Sequence, residues 1–338
     1  MSSMFTLAAW RAALTIASPT GSQRPLSILI FHRVLPAPDP LLHEEVDAAV
    51  FDWQMRLTKD CFRVLPLDEA IDRLQRGTLP PRALAITFDD GYADNVTVAL
   101  PVLQRHGLQA TFFIATDFLN GGRMWNDSII ETFRRARGPS LDLDHLSMGR
   151  HPIGTTKERR KAIDAVIAEI KYRPTNARLE IVEAIREAAD VSLPDDLMMS
   201  TEQVRALHRA GMTIGGHTRS HPILARLADD EARAEIADGR RTLADIVGEP
   251  IALFAYPNGL PRTDYDARHV RIVREAGFKA AVTTSWGAAR RDSDRFQLPR
   301  FTPWDRSAGR FLLRLAHNAR RSGTVVPAAS ADSATMAL

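Results

Sequence analysis

The apolar run Ala83-Leu84-Ala85-Ile86 leads straight into Thr87-Phe88-Asp89-Asp90-Gly91. Such a run reads as a buried strand, and this one stops on two adjacent carboxylates. Neighbouring strand residues face opposite sides, so Asp89 and Asp90 take separate positions unless the chain turns. Gly91 permits an immediate turn. In barrels and open α/β sheets, ligands bind at the carboxyl ends of the strands. A plain strand-to-loop turn is the alternative, because Asp-Gly is ordinary turn chemistry.

Further along, Ile214-Gly215-Gly216-His217-Thr218-Arg219-Ser220-His221-Pro222 carries two histidines with three residues between them. The segment follows Gly211-Met212-Thr213-Ile214, a short strand candidate, so these imidazoles also fall at a strand end. Two histidines and a carboxylate suit a transition metal and leave a coordination position for water or substrate, as catalytic sites do. Read alone, the segment reads better as a surface turn with two solvated histidines.

Taken together, Thr87 to Gly91 and His217-Thr218-Arg219-Ser220-His221 resemble the NodB-type polysaccharide deacetylases, carbohydrate esterase family 4. The first two motifs of that family are T-F-D-D-G and H-[ST]-x-x-H, in this order. Phe254-Ala255-Tyr256-Pro257-Asn258-Gly259 resembles its third motif. Ser27-Ile28-Leu29-Ile30-Phe31-His32-Arg33-Val34 resembles the first strand of the poly-N-acetylglucosamine deacetylase branch. The resemblance spans residues 26–305. It implies an α/β fold, a distorted (β/α) barrel of the NodB homology type. It also implies that Asp90, His217 and His221 hold a divalent metal, usually Zn²⁺, and that Asp89 is the general base. The backbone N–H of Asn258 would face the oxyanion, with Tyr256 and Tyr92 assigned to the same substrate-contacting group.

Two positions depart from the family pattern. An arginine that orients the catalytic aspartate usually opens the third motif, and Ala255 stands there instead. A histidine usually follows two residues after a leucine in the last motif, as the acid toward the leaving amine. Gln297-Leu298-Pro299-Arg300-Phe301 puts Arg300 at that place. Arginine does not give up its proton in proteins, so it is no ordinary acid. Arg300 can instead stabilise the oxyanion or orient Asp89, or pair with a structural acid such as Asp305 or Asp294. His32 is a candidate proton donor or sugar contact, or else a histidine satisfied by neighbouring backbone.

With 338 residues, 45% of them hydrophobic, the chain can bury one large core. The net charge of +3 lacks the basic cluster of a nucleic-acid binder. The single cysteine, Cys61, excludes an intrachain disulfide and reads as core. Residues 4–17 read as a short amphipathic helix within an N-terminal segment 1–25, docked on the domain or touching a membrane surface. No basic stretch precedes its apolar run, so no signal peptide is expected, and no run reaches the length of a membrane span. The expected location is therefore cytoplasmic or peripheral at a membrane.

Strand and helix patterns alternate along the chain, as in βα units. Residues 120–200 break this rhythm and read as a helical insertion, in which Trp125, Asn126 and Asp127 either reach the substrate groove or cap a helix. Residues 306–321 read as a closing amphipathic helix and 322–338 as a disordered tail. The expected activity is metal-dependent removal of N-acetyl groups from amino sugars of a glycan, with release of acetate. The rivals are an amide hydrolase acting on a small or cyclic amide, and a glycan-binding pseudoenzyme.

Overall fold

The computed structural model describes residues 10–12, 14–16 and 21–327. Seven parallel strands form a nearly closed barrel whose spatial order follows the chain: β1 (Ser27–Phe31), β2 (Ala83–Phe88), β3 (Thr111–Ile114), β4 (Thr213–Gly216), β5 (Leu253–Ala255), β6 (Ala280–Trp286) and β7 (Leu298–Arg300). A short strand, Arg63–Val64, pairs beside the start of β2. The seam between β7 and β1 is narrow. Phe301 N–H donates to the Ile28 carbonyl at 2.7 Å, and Ile30 N–H donates to the Phe301 carbonyl at 3.0 Å.

Strand alternation sorts the side chains into two layers. Ile28, Ala85, Phe113, Ala255, Val282 and Leu298 fall in one buried cluster. Their strand neighbours Leu29, Ile86, Phe112, Phe254 and Ala281 belong to a second cluster shared with the surrounding helices. In β2 the first set runs Ala83, Ala85, then Thr87, so Asp89 continues the same face just past the strand end.

Helices α1 (Ala48–Cys61), α2 (Leu67–Arg76) and α3 (Leu100–His106) cover the first half of the barrel. Asp68 and Glu69 in the first turn of α2 complement its dipole, and Gly77 ends it in the left-handed conformation, φ 69°. The insertion comprises α4 (Trp125–Arg135), α5 (Thr156–Ile170) and α6 (Thr175–Ala188), with an antiparallel pair, Ser140–Asp142 and Arg150–Pro152. It has its own small core, centred on Ile129, Phe133, Val166 and Ile185. Helices α7 (Thr201–Arg209), α8 (Asp229–Val247) and α9 (Ala267–Glu275) resume the βα rhythm, and α10 (Ala308–Asn318) closes the fold.

Two expectations need amendment, that for β4 and that for the tail. Strand β4 runs two residues beyond Ile214, because Gly215 and Gly216 leave room for the Phe113 and Phe278 rings. The N-terminal segment is described only in part: residues 10–12 and 14–16 are helical, with Leu14 buried in the main core and Trp10 packed against it. The tail does not become disordered at Ser322. Thr324 N–H donates to Ser285 Oγ at 2.6 Å, and Val326 N–H donates to Gln297 Oε1 at 2.7 Å. Residues 328–338 lie outside the described residues.

A methyl group on Gly215 would lie 2.4 Å from Phe113 Cδ1. Gly215→Ala should therefore destabilise the barrel by about 1–3 kcal/mol or more, as overpacked cores do. Chemical denaturation followed by circular dichroism measures this, and an unchanged midpoint contradicts the packing described.

Candidate active site

The strand ends deliver the polar residues to one place. Asp89 N–H donates to the Phe31 carbonyl at 2.9 Å, which holds the acid against β1. Asp90 then takes φ 77° and Gly91 φ 92°, turning the chain so that both carboxylates serve one cavity. A Cβ at Gly91 would meet Ile114 Cγ2 at 2.9 Å, so the turn needs glycine for space as well as for its dihedral. His217 leaves the end of β4, its N–H on the Ile114 carbonyl at 3.2 Å. Thr218 and His221 also adopt positive φ, 64° and 52°, as does Asn258 at 57°. Strained backbone of this kind gathers at functional sites.

One side chain of each of Asp90, His217 and His221 converges, with donor atoms all within 4.8 Å of one another. Asp90 Oδ1 lies 3.3 Å from His217 Nε2 and 3.4 Å from His221 Nε2. That oxygen is buried without a hydrogen-bond partner among the described residues. His217 Nδ1 lies 2.7 Å from the Ala255 carbonyl, which can only accept, so Nδ1 carries the proton and Nε2 faces Asp90. Burial pushes the His221 imidazole down to about 4 despite Asp90 beside it. Burial also works against a charged His217, yet the adjoining Asp90 carboxylate draws it above its usual value. Burial disfavours an ionised Asp90 too, but the two imidazoles hold it below the ordinary carboxylate range. A buried N₂O donor set around an orphaned carboxylate oxygen fits a divalent transition metal.

Beside this cluster, Arg300 makes a bidentate pair with Asp89: Nη1 to Oδ1 and Nη2 to Oδ2, each at 2.7 Å. Arg300 Nε donates to the Thr283 carbonyl at 2.8 Å, and Nη1 also donates to Thr87 Oγ1 at 3.1 Å. Burial would raise the Asp89 pKa, but the guanidinium outweighs it and keeps the carboxylate charged. The alternative partners are engaged elsewhere: Asp305 with Arg314 at 2.8 Å, and Asp294 with Gln297 at 2.8 Å.

The model of the family "Polysaccharide deacetylase" matches residues 76–281. The chain belongs to the polysaccharide deacetylase family. This deacetylase is 21% identical over 276 residues to the Bacillus subtilis (strain 168) protein named "Putative polysaccharide deacetylase YxkH", covering 81% of this chain and 70% of that one. Its fold is similar to the Streptococcus pyogenes deacetylase PplD in complex with acetate, with TM-score 0.58, 19% identity, and 86% and 98% of the two chains covered. It is also similar to IcaB from Ammonifex degensii, with TM-score 0.56, 19% identity, and 90% and 99% covered. The enzyme is thus a hydrolase of amide bonds with the barrel of its family. No helix among its described residues is long and apolar enough to cross a membrane.

The remaining candidates divide. His32, Tyr92 and Asn258 line the same cavity of about 350 Å³ as Asp89, Asp90, His217 and His221. Tyr256 does not. It is fully buried and stacked on Tyr265 at 4.0 Å, so the deacetylase uses it as core and not as a substrate contact. It lies one position beyond Ala255 along the chain, and alternation turns it away from the barrel interior. In the insertion, Trp125 and Asn126 line the cavity, while Asp127 accepts from Tyr92 Oη at 3.0 Å. Helix α4 starts at Trp125 with Met124 at its N-cap, so neither Asn126 nor Asp127 caps it.

Sequence reasoning missed two carboxylates that shape the site. Glu235 of α8 accepts from the N–H groups of Arg219 at 3.0 Å and Ser220 at 2.9 Å, pinning the histidine loop. Asp94 accepts from Arg33 Nε at 2.7 Å and Val34 N–H at 3.2 Å, and Arg33 in turn lies over the Tyr92 ring. Neither sits in a short motif, and only the fold brings them to the loops they hold.

Burial lifts the Asp127 carboxyl to about 7, against the pull of Arg33. A carboxyl raised from an ordinary value of about 4 favours the folded state when protonated, so its contribution falls as pH rises from about 4 to 7, by about 1.4 kcal/mol per unit. Asp127→Asn should remove that fall. Stabilities of both proteins at pH 5 and pH 8 check this: the variant should gain relative to the parent at pH 8. Equal differences at the two pH values contradict a buried, neutral Asp127.

Proposed function

We propose that the protein is a metal-dependent deacetylase that removes N-acetyl groups from amino sugars in an oligo- or polysaccharide. The observation that carries this reading is the convergence of Asp90, His217 and His221 directly beside a charged, arginine-held Asp89 in one cavity. Asp90, His217 and His221 would hold the ion, with zinc as the best match to two imidazoles and a carboxylate. When bound, such an ion polarises the acetamide carbonyl and acidifies the attacking water.

The chain's own groups do the rest. Asp89, its two oxygens fixed by Arg300, takes a proton from the attacking water. The water oxygen bonds to the acetyl carbon, and the backbone at Asn258 faces the oxygen that becomes negative. The carbon–nitrogen bond then breaks, acetate leaves, and the sugar nitrogen takes up a proton. Arg300 is not that donor, since its guanidinium is committed to Asp89, Thr87 and Thr283. His32 is the imidazole in the cavity outside the metal cluster, and we assign the donor role to it. An arginine seated on Asp89 supports an active enzyme over a pseudoenzyme, because it supplies the orienting group that the third motif lacks.

Metal analysis of the purified protein should find one divalent ion per chain, lost in His221→Ala and kept in Asp89→Asn. Asp89→Asn should lower acetate release from N-acetylated oligosaccharides by about 10²–10⁴-fold. Near-normal turnover in that variant removes Asp89 from the base role, and acetate release only from small amides redirects the substrate class.

Lysine cannot reproduce the fork on Asp89. Arg300→Lys should therefore reduce kcat by about 10²-fold with little change in KM, the pattern of a mispositioned base. An unchanged kcat contradicts the positioning role.

A further inference from the structure

The insertion brings cations to the cavity as well as Trp125 and Asn126. Arg178 of α6 and Lys171, just after α5, both line it. Arg178 is only 7% exposed. Its Nη1 donates to the Lys171 carbonyl at 3.0 Å, and its guanidinium lies 4.9 Å from the centre of the Trp125 ring. Its Nε is buried without a hydrogen-bond partner among the described residues. No acid lies close enough to offset its burial, which lowers its basicity.

This arginine stands apart from its peers. Arg33 and Arg300, the other arginines at the site, each hold a carboxylate at 2.7 Å. A buried guanidinium without a counter-charge is expensive to keep, and the cost is removed if an anion arrives from outside.

Lys171 and Arg178 also form the junction with a second, larger cavity that runs along the insertion past Tyr172 and Arg226. Lys171 and Arg226 sit 5.5 Å and 5.7 Å from the Tyr172 ring, which is half exposed. The other basic residues there are matched: Arg173 with Glu169 at 3.4 Å and Arg219 with Asp117 at 3.1 Å. Its wall also carries two acids, Glu235 and Glu231, which accept from Ser220 N–H and Ala228 N–H. None of Lys171, Arg178 and Arg226 forms an ion pair among the described residues, and with Arg173 and Arg219 matched these three cations outnumber the two acids of the wall.

We propose that this groove is an anion subsite: the substrate glycan carries an oxyanion, a carboxylate or a phosphate, next to the N-acetyl sugar that reacts, and Arg178 with Lys171 binds it. The inference rests on the deacetylase reading and names the substrate class for it. A planar guanidinium matches either oxyanion with two parallel hydrogen bonds, and Trp125 beneath it keeps the plane fixed. Neutral chitin-like chains would leave the charge unanswered.

The test is calorimetric titration of the full-length Asp89→Asn protein, with and without Arg178→Gln. Three tetrasaccharides serve as probes: one alternating N-acetylglucosamine and glucuronic acid, the same compound with its carboxyls reduced to alcohols, and an N-acetylglucosamine oligomer joined by phosphodiesters. At low salt an acidic probe should bind about tenfold or more tighter than the reduced one, with the gap closing as salt rises. Arg178→Gln should erase the gap and leave the reduced probe within about twofold. Whichever acidic probe shows the preference identifies the oxyanion. If Arg178→Gln does not fold, the more accessible pair Lys171→Gln/Arg226→Gln should narrow the gap in the same way. Equal binding of acidic and reduced probes, or a preference that survives these variants, overturns the subsite. Acetate release by the protein with Asp89 intact is followed in parallel. Release without acidic preference sinks the subsite alone, whereas acidic preference without release from any probe sinks the deacetylase reading and leaves the subsite standing.

Discussion

The pairing of Arg300 with Asp89 is the interaction on which the rest depends. Both side chains are almost wholly excluded from water, at 0% and 2% exposure. Each charge would be costly there alone, and removing one partner of such a pair costs about 3–5 kcal/mol. The guanidinium stands on β7 and reaches Asp89 and Thr87 at the end of β2 and the Thr283 carbonyl on β6. It thus ties together strands on both sides of the narrow β7–β1 seam. The same contact that closes the barrel also fixes the direction of the candidate base, so stability and chemistry share one set of hydrogen bonds.

Much of the architecture could be read before any coordinates, for identifiable reasons. The barrel strands are short apolar runs followed by turn residues, and their helices carry caps and stops such as Gly77 and the Ser200–Gln203 box ahead of α7. Asp89, Asp90, His217 and His221 were visible because each sits in a short contiguous motif. Helix α1 escaped notice because two of its five buried positions, Gln54 and Thr58, are polar and interrupt the apolar stripe. Arg300 left three readings open, since its partner lies far away in the chain. Tyr256 was misassigned by its nearness to a motif, where strand alternation points it into the core. The segment after α10 read as tail by composition, yet its backbone finds Ser285 and Gln297, side chains that no local pattern could nominate.

The division of labour within the cavity follows the same line. The barrel strand ends supply the groups that can act on an amide, and the insertion supplies a wall of Trp125, Asn126 and Arg178 with a core of its own. A wall built on a separately packed unit can vary in shape and charge without disturbing the strands beneath. Grafting of this kind lets one scaffold serve many substrates.

The seam has a consequence for how the molecule comes into being. Asp89 and Arg300 are 211 positions apart, and the strand that carries the arginine is the last of the barrel. A chain emerging from the ribosome N-terminus first can lay down β1 to β6 while the acid still has no counter-ion. Synthesis of the segment after β6 then delivers the guanidinium, and with it the seam, the α10 cover and the strap that hydrogen-bonds Gln297. Contacts of such long sequence separation form late and slowly. A barrel lacking β7 would be open along one side, with the Asp89 carboxylate at its rim still without its guanidinium.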